Sequence, residues 1–228
     1  MKDFVFIIPL TPKSLLNPVR QVLFNMMVLA LKNQTSHNWQ ALLVGEDEKQ
    51  DGNLLYINAE KSLDANYIKV SRTYPSHTDK HHKIEIALQH IARAEKKPKY
   101  LIRLDDDDLI SPGIISRIEK TGMGYDAYAD KYQALYNVMD GKIALPKLTW
   151  MANSIFHKYE HAITFVDSFK HKLINCSHNE AFHIYYANRN VFYTPKFSPL
   201  YLRTLSETCL SINTTTKIPL QQHTDRFG

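Results

Sequence analysis

The stretch Lys99–Gly113, KYLIRLDDDDLISPG, constrains this chain more than any other. Tyr100–Leu104 is short and apolar and follows Pro98, as expected of a buried strand in a parallel sheet. Four carboxylates then arrive with no neutral residue between them: Asp105, Asp106, Asp107 and Asp108. Ser111 and Pro112 carry the pattern of an N-cap and first helical residue, which predicts a helix through Ile114, Ile115 and Ile118. The acidic run is therefore expected in a tight strand-to-helix turn at the carboxyl end of a strand, where open α/β sheets keep their ligands. Crowded carboxylates repel one another, and a hard divalent cation with oxygen ligands relieves that repulsion. The competing reading is a solvated acidic turn, or acids made favourable by a helix dipole. The apolar strand before and the helix start after favour a ligand site.

The remaining N-terminal half supports a sheet of that kind. Phe4–Leu10 reads as a buried strand halted by Pro9 and Pro12. Asn17 and Pro18 then open a helix with Val19, Val22, Leu23, Met26, Met27 and Ala30 at helical spacing. Its methionines read as core packing. Trp39–Val44 is the next strand, ending at Gly45-Glu46-Asp47, and short strands are expected at Leu54–Ile57 and Tyr67–Val70. Ser76 and Asp79 have capping-box spacing for a helix with Ile84, Leu88, Ile91 and Ala92 on one face. Its first turn carries Lys80, His81, His82 and Lys83. Cations there oppose the helix dipole, so either an anion lies nearby or the cluster is tolerated surface charge. Strand and helix alternation predicts an α/β fold with a mostly parallel sheet covered on both faces.

After Gly122 the character changes. Tyr125–Val138 alternates partially and turns at Asp140-Gly141 into Lys142–Leu145, a hairpin pattern. From Trp150 aromatics and histidines intermingle without helical period, a composition suited to flat amphipathic ligands such as sugars. Each histidine taken alone reads as structural. With no repeat, low-complexity block or linker, residues 1–228 are read as one domain: 1–121, 122–213 and a loosely ordered tail, 214–228.

Charge and cysteine content narrow the partners. The 28 basic and 23 acidic residues give a net charge of +5, scattered rather than patched. That balance favours phosphate-bearing ligands or an anionic membrane face. Nucleic acid is not supported, because no basic stripe is interleaved with aromatics. No run is apolar and long enough to span a bilayer; Val22–Leu31 is short and interrupted by Asn25. The opening MKDFVFIIPL has Asp3 directly after its lysine and no small-residue cleavage site, so it reads as a strand rather than a signal peptide. Cys176 and Cys209 lack metal-type spacing and suit a reducing cytosol, hence a cytoplasmic location.

The segment LIRLDDDDLISPGII resembles the D-x-D turn of the GT-A glycosyltransferases, and FVFIIPLT with WQALLVGED is similar to the opening of that fold. Within that group the chain most resembles bacterial rhamnosyltransferase-like and family 2-like enzymes, over roughly Asp3–Lys120. The resemblance implies a GT-A, Rossmann-like sheet flanked by helices, a nucleotide-sugar-binding half and a C-terminal acceptor-side extension. It implies a nucleoside-diphosphate sugar donor, a glycan or lipid-linked acceptor, and Mn²⁺ or Mg²⁺ to neutralise the departing diphosphate. By position Asp105, with Asp106 beside it, faces the ribose or sugar, Asp107 ligates the metal together with Asp105, and Asp108 supports them. Pro9 to Thr11 and Glu46 or Asp47 frame the nucleoside, while Lys80, Lys83 or Arg103 pair with phosphates. Two departures stand out: Glu46-Asp47 follows a glycine where an Asp pair is usual, and the acidic acceptor-site motif is not recognisable.

An inverting transferase also needs a carboxylate base outside the metal-holding turn. Three candidates lie downstream: Glu180, Asp130 and Asp167. Glu180 lies in CSHNEAFH between His178 and His183, ahead of Tyr185 and Tyr186, which places a metal ligand or proton relay (His183) beside a stacking wall. The alternatives are a nucleotidyltransferase making nucleotide-sugars, disfavoured because PLTPKSLLNP contains no glycine, and a nucleotide- or carbohydrate-binding protein without catalysis. The oligomeric state is left open.

Overall fold

The computed structural model of the chain describes residues 1–13, 16–62, 77–130, 134–137, 141–144, 155–166, 171–176, 179–195 and 201–205. For residues 62, 77–78, 142–144, 179–181 and 201–205 the description covers the backbone alone. The elements begin with β1 (Phe4–Pro9), α1 (Pro18–Lys32), β2 (Trp39–Gly45), β3 (Lys49–Asp51), β4 (Leu54–Asn58) and α2 (His77–Arg93). Then come β5 (Tyr100–Arg103), β6 (Leu109–Ile110), α3 (Ile114–Thr121), β7 (Ala127–Asp130), β8 (Ala134–Asn137) and β9 (Lys142–Ala144). The last are β10 (Ile155–Lys158), α4 (Tyr159–Ala162), α5 (Asn179–Tyr186), β11 (Val191–Thr194) and β12 (Tyr201–Leu205). Two compact units interleave along the chain: Met1–Leu16, Ser36–Asp106 and Phe156–Ser177 form one, and Asn17–Thr35, Asp107–Ile155 and His178–Gly228 the other.

In the first unit β5, β1, β2 and β4 run parallel in that order, with β10 antiparallel beside β5 and β3 antiparallel beside β4. The central strands β1 and β5 are buried along their whole length, and β2 at all but Gln40, as expected of parallel strands covered on both faces. Val5, Ile7, Leu42, Val44 and Leu101 join Ile84, Ala87, Leu88 and Ile91 of α2 in one core. The alternate residues build the other face: Phe4 stacks on Tyr100, and Phe6 meets Trp39 and Phe156 edge-on. Each such side chain contributes roughly 1.5–3 kcal/mol on burial. β3 falls in a polar stretch, Lys49-Gln50-Asp51, between the two strands the sequence predicts there. It is exposed throughout, and an edge strand without a buried face has no alternation to read.

In the second unit β6 pairs antiparallel with β12, and β12 parallel with β8. β8 and β9 form the expected hairpin, turning at Gly141 with φ of 69°. β7 pairs parallel with β11. α1 starts as the sequence predicts: Asn17 Oδ1 accepts from the Arg20 N–H at 2.9 Å, and Pro18 is its first residue. Its buried stripe is Leu23, Met27 and Leu31, whereas Val19 and Val22, expected on the core face, are exposed.

The start of α3 differs from expectation. Ser111 and Pro112 do not cap it; the helix begins at Ile114 behind Gly113, which is left-handed with φ of 69°. The cause is β6, which keeps the chain extended through Ile110 and requires a turn before the helix. Ser111 instead accepts at its carbonyl from Gln34 Nε2 (2.9 Å) and at its hydroxyl from Arg117 Nη2 (3.1 Å). Tyr67–Val70, Ser76 and the tail lie outside the described residues. Among those described, no helix is long and apolar enough to cross a membrane.

Candidate active site

The carboxyl ends of β1, β2 and β5 deliver most of the expected residues. Beyond β1, the Thr11 backbone N–H donates to Asp106 Oδ2 at 2.6 Å and its hydroxyl to Asp106 Oδ1 at 3.2 Å. Asp106 is buried and ties the segment after β1 to the turn after β5. Lys13, which sequence reasoning passed over, donates its backbone N–H to Glu46 (2.9 Å) and its ammonium to Asp47 (2.7 Å). That ammonium holds the Asp47 carboxyl below its ordinary pKa. The loops approach closely at Gly45, the last residue of β2: a Cβ there would lie 3.0 Å from Leu10 Cδ1 and 3.1 Å from its Cβ.

The first turns of α2 resolve the cationic cluster. Lys80 Nζ lies 2.5 Å from Asp105 Oδ1, and the buried Lys83 ammonium donates to Asp79 (2.7 Å) and to the Leu10 carbonyl (2.8 Å). The anions that the dipole argument demands are thus the chain's own carboxylates. Burial also pushes the His82 pKa down, against the opposing charges of Asp79 and Glu85. Arg103, buried at the end of β5, donates Nη1 to the Cys176 carbonyl at 3.2 Å and holds Nε 4.0 Å from Asp105.

Asp107 and Asp108 belong to the second unit. Asp107 pairs with Arg20 of α1 at 3.4 Å, a partner the sequence reading did not single out; Asp108 is buried. One carboxylate oxygen from each of Asp105, Asp107 and Asp108 lies within 4.8 Å of the others. The three residues are near neighbours in sequence, so this grouping is a property of the turn itself. An all-oxygen, strongly anionic donor set fits Mg²⁺ or Mn²⁺. Asp106 is not in that grouping; both of its oxygens accept from Thr11. His183 is exposed on α5 and is not part of the grouping.

Of the candidate bases, Asp130 ends β7, is buried, and accepts from the Thr194 hydroxyl at 2.5 Å. The pair is aligned by the β7–β11 register, in which Asp130 stands opposite Thr194. The half-buried Arg117 has its pKa lowered by burial while the charge of Asp130 opposes that shift. Glu180 is on α5, with its side chain outside the description, and Asp167 lies outside the described residues.

No protein-family model and no curated protein sequence matches the chain. Solved structures do. The chain is similar to residues 1–349 of S. aureus TarS, with a TM-score of 0.51 at 14% identity, covering 90% of this chain and 60% of that one. For TarS 1–349 in complex with UDP-GlcNAc the TM-score is 0.52 at 13% identity, covering 91% and 59%. The same fragment in complex with UDP gives 0.51 at 14%, covering 90% and 61%. The chain thus spans less than two thirds of the TarS fragment, and at these identities the likeness is one of fold. The parallel β5-β1-β2-β4 sheet, the acidic turn that follows β5 and this likeness together give the chain a GT-A-type α/β fold.

Proposed function

We propose that this chain is a metal-dependent glycosyltransferase, moving a sugar from a nucleoside-diphosphate donor to a glycan or lipid-linked acceptor in surface-polysaccharide synthesis at the cytoplasmic side. The observation that carries the reading is the grouping of Asp105, Asp107 and Asp108 directly after a parallel strand. The TarS fragment of like fold binds UDP and UDP-GlcNAc, which supports a nucleotide-sugar donor. These three carboxylates would hold Mn²⁺ or Mg²⁺, which when bound would supply positive charge to offset the negative charge of a departing diphosphate. Pro9, Thr11, Glu46 and Asp47 border the nucleoside, with Asp106 fixing the Thr11 segment, while Lys80 and Arg103 face the phosphates. Lys83 acts one step back, fastening α2 to the end of β1 through the Leu10 carbonyl.

In the inverting reaction the acceptor oxygen bonds to the anomeric carbon as the carbon–oxygen bond to the diphosphate breaks. The acceptor proton passes to a carboxylate. Glu180 is the base we assign, with Asp130 and Asp167 the alternatives. Asp107→Asn tests the metal reading by calorimetric titration of UDP, GDP and dTDP with and without Mn²⁺. We expect Mn²⁺-enhanced binding to be lost while the thermal transition is kept. A variant that binds metal and nucleotide as the parent does overturns the reading.

A further inference from the structure

We propose that Lys80 is a built-in counter-ion for the acidic turn, holding Asp105 until a divalent cation displaces it and then turning to the diphosphate that accompanies the cation. The inference deepens the metal reading above and rests on it. Lys80 Nζ is 2.5 Å from Asp105 Oδ1, with side chains 29% and 26% exposed, so the pair is only partly screened by water. Asp105 is also one of the three residues that can share a cation. An ammonium and a divalent ion on one carboxylate repel each other at this range, so the two compete for Asp105.

The helix makes the competition one-sided. Lys80 belongs to the first turns of α2, where the partial positive charge of the helix start disfavours a cation. Asp105 therefore holds the ammonium in place against its own helix. Once Asp105 is taken, the freed ammonium and the helix start together favour the next anion to arrive, a phosphate oxygen. Lys83, three residues on, is the contrast. Its side chain is 7% exposed and its ammonium is fixed by the Leu10 carbonyl and Asp79, so it anchors α2. With the helix start anchored, the flexible four-carbon stem of Lys80 is the part free to swing.

The test is calorimetric titration of the full chain and Lys80→Met with Mn²⁺ alone, then with UDP, GDP and dTDP at saturating Mn²⁺. Lys80→Met should bind Mn²⁺ alone about ten-fold more tightly, because the competing ammonium is gone. It should bind the diphosphate about ten-fold more weakly, because the freed ammonium is missing. Lys80→Arg, which keeps the charge, should return both values toward the parent. A gain in metal affinity cannot come from misfolding, so the opposite signs separate this role from a merely structural ion pair. Equal Mn²⁺ affinity in parent and Lys80→Met overturns the inference and leaves the metal reading standing. Absence of Mn²⁺ binding by both overturns the metal reading and this inference with it.

Discussion

Removing the Asp106 carboxylate should loosen the joint between the ends of β1 and β5, at a cost the structure lets one work out. Asp106→Ala deletes two hydrogen bonds to a charged acceptor, one from the Thr11 N–H at 2.6 Å and one from its hydroxyl at 3.2 Å. Bonds to charged groups contribute about 1.5–3 kcal/mol each when the donor is left buried. Thr11 is only half-buried, so water recovers part of the loss, and the expected cost is about 3 kcal/mol in total. For a chain of this size that lowers the melting temperature by about 6–12 °C. Thr11→Val keeps the shorter N–H bond and loses only the longer hydroxyl one, so it should cost about 1 kcal/mol. Because the two positions share an interaction, the double variant should cost less than the sum of the singles. Differential scanning calorimetry on the four proteins measures all of this. An Asp106→Ala protein melting with the parent, or strict additivity in the cycle, would refute the clamp.

Two further outcomes follow from burial and close approach. His157 on β10 has no exposure, and burial, aided by the charge of His161, pushes its pKa from 6.5 to about 3. The folded chain keeps it neutral while the unfolded chain protonates first, so stability is full above pH 6.5 and drains as the pH falls toward 3. The loss reaches about 2 kcal/mol near pH 5; urea unfolding at pH 7 and pH 5 should show it, and His157→Gln should remove that component. Gly45→Ala places a methyl about 3 Å from Leu10 and should cost about 1–3 kcal/mol by urea unfolding, with Leu10→Gly in the same chain, which removes both the Cδ1 and the Cβ it would meet, relieving the clash.

The sequence by itself determined β1, β2, β4 and β5, the β8–β9 hairpin, the start of α1 and the acidic turn. Each is written in local chemistry: apolar runs buried on both faces, an Asn-Pro helix start, and carboxylates placed where a parallel strand ends. It did not determine β3, whose exposed Lys49–Asp51 carries no buried alternation, nor the buried stripe of α1, whose apolar residues go nearly all the way round. Nor could it say which partners each of Asp105–Asp108 meets within the protein, because four identical neighbours have identical local propensity. Tertiary structure decided that. Asp106 turns inward because Thr11, 95 positions away, offers it two donors. Lys80 and Arg20 stand against Asp105 and Asp107, and Asp105, Asp107 and Asp108 are left grouped in the turn. Which carboxylate becomes the clamp and which stay grouped in the turn depends on partners far away in sequence, and only the folded chain brings those within hydrogen-bonding distance.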